Sequence, residues 1–192
     1  LSGQIMSKGG IAHRLISFAK TLVGFLPGGL ALINIVSAMM MGAIAGSAMA
    51  SASAMGTILG PEMEKEGYSK EFGAAVNITS STTGLVIPPS NTLIVYSLAS
   101  GGVSIAALFL AGYIPGILTG LFMMIVSVIW AKKHNYPVGE RSSIKEVFVK
   151  FIDAVPSLLL LIIVIGGIIG GVFTATEASA VAVLYTLLLS FY

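Results

Sequence analysis

Gly46-Ser47-Ala48-Met49-Ala50-Ser51-Ala52-Ser53-Ala54-Met55-Gly56 and Asn77-Ile78-Thr79-Ser80-Ser81-Thr82-Thr83-Gly84-Leu85-Val86-Ile87-Pro88-Pro89-Ser90-Asn91-Thr92 are the stretches on which the fold turns. Each sits in a run without charge, and each interrupts apolar sequence with hydroxyls and glycine; the second adds a double proline. Small polar residues in such runs are not the charged loops that water would call for. They read as breaks inside a membrane protein rather than as surface turns.

Composition supports this. Hydrophobic residues make up 56% of the 192 and charged residues 9%, with a mean hydropathy of +0.98. Soluble domains carry about 25% charged residues, so this chain could not cover a soluble surface. The apolar runs are continuous rather than alternating, which excludes a transmembrane β-barrel. An all-α integral membrane protein remains, because a helix satisfies its own backbone in lipid. A net charge of +2 gives no argument for nucleic acid, and the absence of cysteine removes disulfides and thiolate metal sites. No signal peptide is visible. The chain begins at Leu1 and ends within an apolar run, so an internal piece of a longer protein is expected.

Outward from the two breaks, the segments read as follows. Residues 1–27 form an interfacial or connecting helix, with Arg14 and Lys20 beside the apolar Ile11, Leu15, Ile16, Phe18 and Ala19. Residues 21–60 carry no charge, about twice the ~20 residues of one span. Their best turn lies in the middle, so residues 28–60 are expected to form a re-entrant hairpin with its tip at Gly46 to Gly56. The alternative is two ordinary spans meeting through small residues. The charge cluster from Glu62 to Glu71 then returns the chain to water. Residues 68–100 are a broken transmembrane helix, because Pro88 and Pro89 remove backbone donors and clash with the preceding turn. Its unwound middle is expected at Thr79 to Asn91. Residues 103–131 form a further span, with Pro115 a possible kink. Lys132, Lys133, Arg141, Lys145 and Lys150 make residues 132–153 a cytoplasmic loop or amphipathic segment by the positive-inside rule. His134 reads as a solvated loop residue. Residues 154–192 start a second repeat with an incomplete second hairpin, since Ala178-Ser179-Ala180 matches Ala52-Ser53-Ala54 at an offset of about 126.

Oxygens dominate the chemistry at these breaks. Ser47, Ser51, Ser53, Ser80 and Ser81, with Thr79 beside them and the carbonyls of Gly84, Val86 and Pro88, are neutral ligands of the kind that suits Na⁺, the one metal expected; no transition metal is. Half-helices starting after Gly46 and after Pro89 would point positive partial charge at an anion. That makes Ser47, Ala48, Thr82, Pro89, Ser90 and Asn91 candidates for a carboxylate solute, with Thr174 and Thr176 from the second copy. Glu177 is the acid within the apolar segments and is expected to cap a half-helix, with a proton or ion site as the alternative. Asn34 reads as an interhelical hydrogen bond and Met39-Met40-Met41 as packing. Any single Ser or Thr can instead bond to its own helix. No Ser-His-Asp set, HExxH or phosphate-binding loop emerges, so no enzyme and no organic cofactor are expected.

At Gly46-Ser47 with the run to Gly56, Pro61, Gly67-Tyr68, Ile87-Pro88-Pro89-Ser90, Ala111-Gly112-Tyr113-Ile114-Pro115-Gly116 and Phe173-Thr174-Ala175-Thr176-Glu177-Ala178, the chain resembles the large, DctM-like membrane subunit of tripartite ATP-independent periplasmic (TRAP) transporters. The pieces cover most of the chain in order. Two depart from the family pattern: Ala175 stands where a proline is frequent, and the first small-residue run lacks a frequent Asp. The resemblance implies a multi-pass protein of the bacterial inner membrane. It would be a Na⁺-driven elevator built from two inverted repeats, importing an organic acid such as a C4-dicarboxylate or a sialic acid. A periplasmic substrate-binding protein would deliver the solute, and a small membrane subunit would complete the complex. Two alternatives stand beside it. Ser90-Asn91-Thr92 is a triplet of the kind found in binding-protein-independent divalent-anion/Na⁺ symporters, and a non-transporting membrane scaffold would use the hydroxyls for packing alone.

Overall fold

The computed structural model describes residues 10–190. Residues 1–9 of the expected interfacial segment, and residues 191–192 of the last one, lie outside the described residues. The described residues are helical, with one isolated bridge between Pro27 and Val138. Two of their helices, Ile105–Lys133 and Ile144–Ile169, are long and apolar enough to cross a membrane.

Helix α1 (Ile11–Val23) buries Ile11, Leu15, Ile16 and Ala19, spaced to one face, and leaves His13 and Lys20 exposed. That face packs on α2 (Gly29–Ala45) and α7 (Ile144–Ile169). Arg14 reaches Asp153 of α7 at 3.8 Å, and the rings of Phe18 and Phe151 lie 5.5 Å apart. Helix α1 is thus held by two helices of the bundle as well as by its own amphipathicity.

Helices α2 and α3 (Ala48–Lys65) form a tight antiparallel pair, joined by Gly46 and Ser47 alone. Gly46 ends α2 with φ +60°, a left-handed conformation that glycine adopts without a Cβ penalty. The Ser47 side chain then accepts from the Ala50 N–H and starts α3. The run from Ala48 to Gly56, read from sequence as the tip, is therefore helix. Alanine is the best helix former, and a capped start lets it propagate.

Helix α4 (Lys70–Ser81) passes into a 3-10 turn (Thr82–Leu85), then irregular chain, then α5 (Asn91–Ala99). The break spans residues 82–90, narrower than expected; Thr79, Ser80 and Ser81 remain helical. Pro88 and Pro89 are joined by a cis peptide. Helix α6 (Ile105–Lys133) follows, and α7 runs unbroken across residue 154, from the basic segment into the apolar one. Its amphipathic start and apolar body are one element. Helix α8 (Ala175–Ser190) returns antiparallel on α7.

The long helix α6 serves as a ruler for depth. Gly28, at the start of α2, abuts Ala131. Tyr68, just past α3, stacks on Tyr136 at 4.3 Å. Both ends of the α2–α3 hairpin therefore sit at the lysine-bearing end of α6. Further along, Gly120 abuts Met39, Gly116 abuts Ile87, and Gly112 abuts the Val86 carbonyl. The hairpin tip stops at the level of the break. The stretch of α6 from Ile105 to Gly112, about 10 Å at 1.5 Å per residue, continues beyond it beside α5.

Candidate functional site: a hairpin tip on a broken helix

Contact between tip and break is backbone to backbone. A β-carbon on Gly46 would stand 2.8 Å from the Pro89 carbonyl oxygen and 3.7 Å from Asn91 Nδ2. The Asn91 N–H points at the Gly46 carbonyl at 3.5 Å. One turn below, Gly42 and Gly84 meet: a β-carbon on Gly42 would lie 2.6 Å from Gly84 Cα. Glycine at both positions is what lets α2 touch the break.

Two helix starts meet here. Ser47 caps α3, and Ser90 caps α5 by accepting from the Leu93 N–H while its hydroxyl donates to the Leu85 carbonyl at 2.6 Å. The N-termini of α3 and α5 both carry positive partial charge and unpaired N–H groups. Ala48 is half-buried beside Ser47, Pro89 half-buried, and Asn91 exposed. Of the solute candidates, Ser47, Ala48, Pro89, Ser90 and Asn91 are thus gathered at one place.

The hydroxyls divide. Ser51 is fully buried and donates to the Ala38 carbonyl at 3.1 Å, whereas Ser53 faces outward. Ser80 is buried and hydrogen-bonds to Asn34 Oδ1 at 3.2 Å. Ser81 is buried and donates to the Asn77 carbonyl at 2.7 Å, Thr79 to Ala75 and Thr83 to Ser80, each at 2.6 Å. A hydroxyl that donates to a carbonyl keeps lone pairs for a cation. Thr82 is exposed and donates to the Thr79 carbonyl. Gly84 and Pro88 are buried in the break, and the Val86 carbonyl lies against Gly112 of α6 rather than toward the tip.

Thr174, Thr176 and Glu177 form a separate group. Glu177 Oε2 accepts from both the Thr174 N–H and its hydroxyl at 2.8 Å, and the Glu177 N–H returns to Thr174 Oγ1 at 3.3 Å. This reciprocal capping box starts α8. All three side chains are exposed.

Sequence reasoning gave no close-packing role to Gly42, Gly112, Gly116 and Gly120. The four-residue spacing of the last three was the available signal, because small residues at that spacing let helices approach closely. Asn34, read as an interhelical hydrogen bond, makes one to Ser80, whereas Asn77 was given no role and bonds to the Ala52 carbonyl.

The family model described as "Tripartite ATP-independent periplasmic transporter, DctM component" matches residues 1–192. The chain belongs to the TRAP transporter large-subunit family. Its relatives include protein YgiK of Salmonella typhimurium, 60% identical over 99% of this chain and 44% of that protein. The C4-dicarboxylate TRAP transporter large permease DctM of Vibrio cholerae is 44% identical over 97% of this chain and 41% of its own length. The sialic acid TRAP transporter large permease SiaM of Vibrio cholerae is 39% identical over 98% and 44%. The chain spans less than half the length of these relatives. The family-wide match favours a TRAP permease over the divalent-anion symporter suggested by Ser90-Asn91-Thr92. The TRAP relatives are permeases, not enzymes.

Proposed function

We propose that the chain is part of a Na⁺-coupled secondary transporter of the bacterial inner membrane, importing an organic acid anion. A periplasmic binding protein hands over the solute, and a small membrane subunit completes the complex. The hairpin α2–α3 is re-entrant, and α4–break–α5 is the discontinuous span beside it. The observation that carries this reading is the meeting of two capped helix N-termini, at Ser47 and Ser90, part-way along α6. In a membrane such paired N-termini favour a carboxylate, and opened backbone with neutral hydroxyls favours a cation. The cation is held among Ser51, Ser80, Ser81 and the break carbonyls, and the carboxylate lies near Ser47 and Asn91. The return of helix, glycine and hydroxyl cap at Thr174 supports a second, inverted copy, and two copies moving against a scaffold make an elevator. C4-dicarboxylates and sialic acid are the first solutes to try, because the relatives are named for them.

Uptake of labelled solute by the full-length complex in proteoliposomes, with and without a Na⁺ gradient and binding protein, tests the proposal. Uptake that requires both is expected. Uptake indifferent to Na⁺ refutes the coupling, and uptake without the binding protein refutes the tripartite mechanism.

A further inference from the structure

The proposed site is not the only polar feature of the hairpin. On its other side, toward the charged end, α3 and α4 part to leave a cavity of about 220 Å³. The cavity exists because its walls lack side chains. Gly60 has nothing within 4 Å of where a β-carbon would stand, and a β-carbon on Gly73 would only touch Met63. At its mouth stand Glu64 and Lys70, an exposed pair 3.4 Å apart. Gly56 lies eight residues deeper along α3 than Glu64, about 12 Å of helix.

Its inner end is polar and unsatisfied. Asn34, 1% exposed, lines the cavity, and its Nδ2 lacks a hydrogen-bond partner. Asn77 lines it too; its Nδ2 donates to the Ala52 carbonyl at 2.9 Å, which leaves Oδ1 buried without a donor. A buried amide left unpaired costs free energy that water recovers when the space is polar and roomy enough. Here an orphan donor and an orphan acceptor border one cavity that can hold several waters. From Asn34 the polar atoms continue to Ser80, and from the Ser80 carbonyl to Thr83 inside the break.

We propose that the α3–α4 cleft is a hydrated, cation-admitting vestibule leading from the charged end to the Asn34–Ser80 pair beneath the break. Its deeper ligands are neutral, and Lys70 at the mouth is offset by Glu64. A small monovalent cation keeps water around it on the way to the break, with Asn77 Oδ1 as its innermost free acceptor. The route deepens the proposed function and rests on it for the identity of the cation.

The chain contains no cysteine, so introduced thiols report water directly. Asn77→Cys and Gly60→Cys, made singly in the full-length protein with any other cysteines replaced, are treated in open membrane sheets with a cationic and an anionic methanethiosulfonate. Rates are normalised to each reagent's reaction with a free thiol. Both positions are expected to label, with the cationic reagent at least as fast as the anionic one, because Glu64 offsets Lys70 at the mouth. Glu64→Gln should turn the preference toward the anionic reagent. Ile78→Cys, on the exposed apolar side of α4, should stay unlabelled. Gly60→Leu, whose β-carbon would meet nothing within 4 Å, should abolish labelling of Asn77→Cys and slow Na⁺-driven uptake. If Asn77→Cys does not reach the membrane, Gly60→Cys carries the test. Absence of labelling at both reporters, or an anionic preference, overturns the vestibule even if uptake stays Na⁺-dependent. Labelling as expected alongside uptake indifferent to Na⁺ overturns the transport reading and the route's role in coupling, while leaving the cleft hydrated.

Discussion

At the tip of the first hairpin Gly46 has φ +60°, and the Pro89 carbonyl lies 2.8 Å from the place of a β-carbon; at the tip of the second, Gly171 has φ +70° and nothing within 4 Å. Both turns follow the same local rule: a left-handed glycine ends one helix and a hydroxyl residue, Ser47 or Thr174, starts the next. They differ in what they touch. The first tip is two residues long and pressed onto a broken helix. The second spans residues 170–174 and, among the described residues, is exposed apart from half-buried Phe173, whose ring lies on Gly167. Local chemistry therefore makes both tips, and among the described residues a broken helix is packed against the first of them.

The largest expected effect breaks that contact. Gly46→Ala adds a β-carbon in the left-handed region, costing about 1–2 kcal/mol, and drives it into a backbone oxygen that cannot move away. Gly84→Val forces the Gly42 backbone off the break, an overpacking cost of about 1–3 kcal/mol or more. Each should lower the melting temperature of the detergent-solubilised full-length protein and cut uptake below a tenth. Gly171→Ala should show only the left-handed cost. Any excess over about 1–2 kcal/mol measures what the rest of the protein lays on the second tip. An unchanged Gly46→Ala protein would remove the distinction between the tips.

Next come changes in the break that leave the tips alone. Ser81 is buried and donates to the Asn77 carbonyl, so Ser81→Leu loses an oxygen and needs room. Pro88→Ala loosens the irregular chain. Both should impair uptake about tenfold or more while membrane levels stay within about twofold, if the loss is in site geometry, worth about 1.4 kcal/mol per factor of ten. Wild-type uptake and Na⁺ dependence in both variants would refute the site assignment. A smaller loss follows from the caps: Ser47→Ala should cost about 1 kcal/mol, read as faster hydrogen exchange at the Ala50 amide. Glu177→Ala should speed exchange at the Thr174 amide in the second hairpin.

These contrasts mark how far the sequence was legible. The continuous apolar runs announced a helical membrane protein, and Gly46 followed by Ser47 announced a turn, because a left-handed glycine and an N-cap are local events. Where the helices resume was not legible. Ala48 to Gly56 looks like loop in its smallness, yet alanine propagates a helix once Ser47 has capped it. Thr79 to Ser81 looks like unwound chain, yet each hydroxyl bonds back to its own helix. The site was legible as a list of residue types but not as a geometry. Nothing in the identity of Val86 says that its carbonyl turns toward Gly112, and nothing in Ser53 says that it faces out. Such choices are made by neighbours far away in sequence, as Asn34 and Ser80 make theirs across α2 and α4.

The smallest effect lies at the bases of the hairpins. The first is closed by aromatic rings: Tyr68 stacks on Tyr136, and Phe72 on Trp130 at 5.9 Å. At the start of α7, Ile144 and Phe148 have no such ring partners among the described residues. Burial pushes the Tyr68 phenol up from 10 to about 12. The unfolded chain therefore loses this proton near pH 10, and the folded one only near 12. Between those values the unfolded state binds fewer protons, so the stability tied to Tyr68 is full below pH 10 and drains away as the pH rises to 12. Tyr68→Phe cannot ionise and should lose stability less steeply over that window, a difference of a few degrees in melting temperature at most. Phenolate absorbance gives the direct reading: subtracting the variant from the wild type should leave one tyrosine titrating near pH 12. A difference spectrum that rises near pH 10 would mean that water reaches Tyr68 at the base of the first hairpin.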